Sequence, residues 1–594
     1  MVLQLLVTAT KQSVTAATAA SLNGARGEQQ IHQSSSVSHS QQRPPSVSAQ
    51  QLSHLSHVLS AVQLSLLGLR VGILSCCLLY SSSGHFLSQR LMRPRMCLVL
   101  DRMANEGPAS SLLALPDTCL VKVLQCCAAD DQRNLFSAAR AHSRLHQTAV
   151  AALRSLTAYV PHQQQVDGVL LYLGKAGRSI DSITLQGRER FKRAFAVRLR
   201  QLPPGLELTS LQLDGFHLQL QLGDGCMGVL GAAAPAASLT RLVLWHCELL
   251  DSGDATQVLA AAFAQLPAGL EHLSINSINS NDGKLVQFPT GALQRFDHLT
   301  YLQMSGMRVK GPDEASPALQ PLEALTRLVE LQIKLAGDVD DQVTPSMLAA
   351  AHHLTRLQLV DCKIQTGVLV GHTQLLHLDL HYCKSPDGAA GVAQLLAHLE
   401  PLQQLTHLGI VDSLGNGEGE GGTPPAAAYA ALTAGSSLRD LDLRWCTLPP
   451  GVWQHVFPAG RQLQHLQSLD LGNVRRAGGS YYGPAPAGSL LVSCCPGLRS
   501  LIMQYLGLSG AETLGPLRGL TGLHTLRLAV LGTESAQGLQ SVGELTGLRE
   551  LTIGCNGDTK ESILRRLTLL QQLTKLDVGG LFTEPVNLTC EVGG

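Results

Sequence analysis

Leu354-Thr-Arg-Leu-Gln-Leu-Val-Asp-Cys362 is followed, 21 residues further on, by Leu375-Leu-His-Leu-Asp-Leu-His-Tyr-Cys383. Both stretches read Leu-x-x-Leu-x-Leu and then place a cysteine three residues beyond the last leucine. Alternating apolar and polar residues are the period-2 signature of a strand with one buried face. The same word begins at Leu208, Leu239, Leu270, Leu299, Leu328, Leu405, Leu438, Leu466, Leu498, Leu523, Leu548 and Leu573, with Ile, Met or Val allowed last. A degenerate copy runs from Ile180 to Leu185, and the clear copies stand 21 to 33 residues apart. Helix-like runs such as 255–266 and 388–399 lie between them. One strand with one helical return cannot bury its apolar face alone, so successive units must stack into a solenoid.

On these residues the chain resembles the leucine-rich-repeat family over 178–580. The resemblance implies an α/β solenoid with parallel strands on the concave face and helices or turns outside. It also gives the cysteines a role. Cys247, Cys362, Cys383 and Cys446, like Asn556, occupy the position where the family turns a small polar side chain inward to bond backbone groups. A metal held by Cys362 and Cys383 would lack two further ligands, so no metal is expected there.

Among 594 residues, 44 bases balance 44 acids, which leaves no electrostatic footprint for nucleic acid. Fifteen cysteines without a CxxC pair fit reduced thiols in the cytoplasm or nucleus. Residues 1–102 read as a disordered or transit-like leader: up to residue 100 they hold one acid, Glu28, against seven bases. A real transit peptide would place the protein in an organelle. The leader's apolar runs are broken by Arg70 and are shorter than the ~20 residues a membrane span needs, so no stable insertion is expected. Residues 581–594 read as a C-terminal tail.

Between leader and repeats, 111–156 reads as a small helical module. Pro116 opens a helix whose Leu120, Val123 and Leu124 share one face, and Asp130-Asp131 caps a second run that includes Leu135. This segment resembles an F-box, through Leu115-Pro116, the apolar helix, the acidic turn and Ser143-Arg144-Leu145-His146, where His146 stands in a position the family often fills with Trp. The resemblance implies docking onto the Skp adaptor of a cullin ubiquitin ligase through Leu115, Pro116, Leu120, Val123, Leu124 and Leu135, with a protein substrate held on the repeats. The other reading is a repeat scaffold of the cytoskeletal or axonemal kind, with a helical cap.

No HExxH, Walker A, GxSxG or paired-cysteine zinc pattern occurs, and neither catalysis nor a cofactor is expected. The formal GxGxxG at Gly417, Gly419 and Gly422 carries Glu418 and Glu420 where a pyrophosphate would sit, and it reads as a loop. Function is expected on the polar positions of the strands, where side chains of adjacent repeats come within ~4.8 Å. Trp245, Arg356, His377, Asp379, His381, Asp440, Asp442 and Arg444 are the candidate substrate-binding residues. An aromatic beside mixed charges is the composition of an interface hot spot.

Overall fold

A computed structural model describes residues 153–579 apart from several inter-strand segments, among them 188–197, 221–229, 231–237, 308–321, 336–341, 414–422, 531–539 and 556–566. It also describes Leu120, Val121, Thr148 and Asn587–Leu588. The expected leader, the Gly417 to Gly422 loop, Asn556, and the module residues Leu115, Pro116, Val123, Leu124 and Leu135 lie outside the described residues. Leu120 is described and is fully buried.

Each Leu-x-x-Leu-x-Leu word becomes a strand, and the strands join one 17-stranded sheet. From Ser155–Tyr159 to Lys575–Gly579 neighbouring strands are parallel, and the repeat words pair word on word, so that Leu378 sits beside Leu357 on one side and Leu408 on the other. In-register pairing follows from the two-residue side-chain period: a slip of one residue would turn every buried leucine to solvent. The leucines form one continuous core, Leu357, Leu378 and Leu408 each being at most 1% exposed. Each such side chain contributes about 1.5–3 kcal/mol by leaving water.

The ladder starts earlier than residue 178. Ser155–Tyr159 is a strand that pairs in parallel with Ser182–Gln186, so the end of the expected helical module belongs to the sheet. At the other end, Asn587–Leu588 within the expected tail adds an antiparallel rung against Leu576 and Asp577.

Parallel strands require a crossover, and here it is variable. Ala255–Gln265 and Gly388–Ala397 are α-helices, the first capped by Asp254, whose carboxylate accepts from the Thr256 N–H at 2.9 Å. Other returns shorten to 3-10 turns, such as Thr290–Arg295 and Gly515–Gly519. Helices with buried faces, such as Val392, Leu395 and Leu396, fill the side of the sheet opposite the polar positions.

After nine of the main strands the chain turns through a left-handed residue. Positive φ recurs at Gly215, His246, Ser277, Gly306, Asp361, Tyr382, Asp412, Trp445 and Asn473, each one residue beyond the alternating pattern. The next residue then points inward: Phe216, Cys247, Ile278, Cys362, Cys383, Ser413, Cys446 and Val474 are all buried. The thiols do what the family resemblance implied. Cys383 Sγ donates to the Leu359 carbonyl at 3.2 Å and Cys446 Sγ to Ile410 at 2.7 Å, in each case the preceding repeat's last Leu-x-Leu position. Ser413 fills the same place with an alcohol, bonding the Leu380 carbonyl at 2.8 Å and receiving the Cys383 N–H at 2.9 Å. Burial pushes the Cys247 thiol up to about 12 and raises Cys383 as well, so these sulfurs stay protonated and structural.

Candidate functional site

The polar positions of adjacent strands form a connected column of side chains. Arg241 reaches His272 at 3.3 Å, and His272 stacks on Tyr301 with ring centroids 3.9 Å apart. Burial, aided by the Arg241 charge, pushes His272 down to about 4, so its ring is neutral. Further along, Glu330 meets Arg356 at 3.5 Å, Arg356 Nη2 lies 3.4 Å from His377 Nε2, and His377 stacks on His407 at 3.9 Å and 4° from parallel. Strand pairing dictates this order: Glu330, Arg356, His377, His407 and Asp440 occupy the same position in five successive strands.

Two residues further along each strand runs a second column, and here the predicted residues separate into two clusters. In the first, Asp379 is only 8% exposed. His377 Nε2 lies 2.7 Å from one of its oxygens, His407 Nε2 3.0 Å from the other, and His381 Nε2 3.7 Å away. Burial alone would raise this carboxyl, but the hydrogen bonds from His377, His381 and His407 outweigh it and hold Asp379 well below the usual carboxylate range. Room for the carboxylate comes from Gly409, its partner on the next strand, where any Cβ would collide with Asp379 Oδ1.

In the second cluster Arg444 grips Asp442 through Nε at 2.9 Å and Nη2 at 2.7 Å, and reaches Asp470 at 3.4 Å. Asp470 is left the weaker share. Burial, together with the neighbouring Asp442 charge, pushes it up to about 6 despite the Gly472 N–H donated to it.

Thus Arg356, His377, Asp379 and His381 come together, and Asp442 and Arg444 form a pair, while Asp440 stands beside His407 in register. Trp245 lies apart, its indole N–H donating to Ser274 Oγ at 2.8 Å, which in turn donates to Gln303 at 2.6 Å. Reading the sequence missed His407 and Asp470, although each sits in a copy of the same repeat word. It also missed Tyr382 and Trp445, the left-handed residues that project beyond the strands at 49% and 38% exposure. Arg475 lies over the Trp445 ring at 5.4 Å.

No protein-family model matches the chain, and no curated protein sequence does. Solved structures similar to it include a leucine-rich-repeat protein from Leptospira interrogans, 15% identical over 73% of this chain and 92% of that one, with a TM-score of 0.45. An internalin from Listeria monocytogenes is 16% identical over 62% of this chain and 86% of that one, with a TM-score of 0.39. This chain's own ladder has the architecture of a leucine-rich-repeat solenoid: the repeated word, the parallel in-register pairing and the inward polar residue recur together. Among the described residues no helix is long and apolar enough to cross a membrane.

Proposed function

We propose that the solenoid is a protein-recognition surface centred on 354–446. The observation that carries this reading is the run of interacting side chains from Glu330 to His407, flanked by the exposed Tyr382 and Trp445. Rigid aromatics beside satisfied charges suit a partner surface, because little side-chain freedom remains to be lost on binding. Trp245, Arg356, His377, Asp379, His381, Asp440, Asp442 and Arg444 are the contact residues in this reading, with Tyr382 and Trp445 added.

The F-box resemblance of 111–156 extends the reading: the chain is the substrate-holding subunit of a Skp–cullin ubiquitin ligase, acting in the cytoplasm or nucleus. Leu115, Pro116, Val123, Leu124 and Leu135 make the adaptor contact, while Leu120, being fully buried, supports that helix from within, and the ligase chemistry belongs to the associated proteins. Co-expression of the full chain with a Skp adaptor tests this. Co-elution is expected, with loss of the adaptor when Leu115→Ala and Pro116→Ala are combined. If the wild-type chain does not retain the adaptor, the ligase reading fails and a repeat scaffold without a ubiquitin role remains.

A further inference from the structure

Two imidazole nitrogens and a carboxylate oxygen meet on the outward face of the strands His377–His381 and His407–Val411. The Nε2 atoms of His377 and His407 and a carboxylate oxygen of Asp379 all lie within 4.8 Å of one another. They come from two adjacent strands of a rigid parallel ladder, so their backbone positions are fixed before any ligand arrives. Gly409 leaves open the space in which the carboxylate sits.

We propose that His377, His407 and Asp379 form a binding site for a divalent transition-metal ion of the zinc class. Two imidazoles and one carboxylate are the donor set of zinc and its first-row neighbours, whereas magnesium and calcium take all-oxygen shells. Three protein ligands leave a fourth position for water or for a side chain from a partner. His381, whose Nε2 is 3.7 Å from Asp379 Oδ1, stands beside that position.

Without the ion, each Nε2–H donates to the Asp379 carboxylate; to bind the ion as a neutral imidazole each ring gives up that hydrogen to water and holds its one remaining hydrogen on Nδ1, which a neutral ring takes up from water in exchange. The donors need to part only slightly, since ligands about 2.0–2.2 Å from a tetrahedral ion lie a little over 3 Å from one another. The parallel stack must open as well, because an ion has to lie near the plane of each ring that binds it. Both rings have room to tilt, their side chains being 23% and 28% exposed. Arg356 opposes the ion, with its guanidinium 3.4 Å from His377 Nε2, and Glu330 at 3.5 Å is the carboxylate that draws this charge aside.

This site stands or falls apart from protein recognition, because it is read by metal content alone. The full chain is dialysed against buffered micromolar zinc, and bound zinc per chain is measured for the wild type, for His377→Ala/His407→Ala and for the milder His407→Gln, with circular dichroism to establish that each is folded. The expected result is one zinc fewer in the double variant and at least about tenfold weaker binding in His407→Gln. Cobalt in place of zinc should give the visible absorption of a nitrogen and oxygen site only in the wild type. Equal zinc content in the wild type and the folded variants overturns the proposal, since any zinc then sits elsewhere on the chain.

Discussion

Asp379 and Asp470 occupy the same column of the sheet, three strands apart, yet their carboxylates meet opposite fates. Asp379 is served by imidazoles from its own strand and the next, and stays ionised although it is nearly buried. Asp470 is half-buried, but the nearest cation is already committed to Asp442, and its carboxyl is pushed up to about 6. Between them lies Gly409, which allows the first arrangement by having no side chain. The lesson is local: in a parallel stack the chemistry of an outward residue is set less by its own repeat than by what the neighbouring repeat places beside it.

The largest effect expected from breaking this contrast is at the glycine. Gly409→Ala puts a methyl group against Asp379 Oδ1 and should lower stability by about 1–3 kcal/mol in chemical denaturation, as overpacking of a fitted site does. Gly472→Ala, whose Cβ would stand 3.1 Å from Asp470 Oδ1, should cost clearly less. Equal losses at the two glycines would mean that the Asp379 cluster has slack. A smaller effect is expected at Arg444→Gln. The guanidinium is about half exposed, so losing its pair with Asp442 should cost less than about 1 kcal/mol. The same change should move the Asp470 titration, followed by carboxyl carbon resonance, to higher pH, because Arg444 is one of the charges holding it down.

Much of the solenoid was legible in the sequence, because leucine spacing is a local pattern and burial enforces it. The strand Ser155–Tyr159 escaped because Leu153-Arg-Ser-Leu156-Thr-Ala158 ends in alanine and abuts a segment with helical periodicity. The site was legible only in halves. His377 and Asp379 lie two apart on one strand, but His407 lies 30 residues from His377, and repeats of unequal length hide which residues become neighbours. Lining up the repeat words would have put His407 beside His377. The metal-binding potential follows from that register and not from any ligand spacing along the chain, which is why no metal was expected. Tyr382 and Trp445 fall outside the alternating pattern altogether, at the left-handed turn, a backbone feature that side-chain periodicity does not report.

The claim that neighbouring repeats set each outward carboxylate is tested most directly at Asp470. With its folded-state value raised to about 6 against about 4 in an unfolded chain, Asp470 favours folding when protonated. Its contribution is therefore fully present below about pH 4 and is lost as the pH rises through about 6. Asp470→Asn keeps an oxygen for the Gly472 N–H and removes the charge. Denaturation of this variant and the wild type at about pH 8 and about pH 4 should show the variant more stable by about 2 kcal/mol at the higher pH and no different at the lower. The same difference at both values, or a loss of stability at pH 8, would contradict the account.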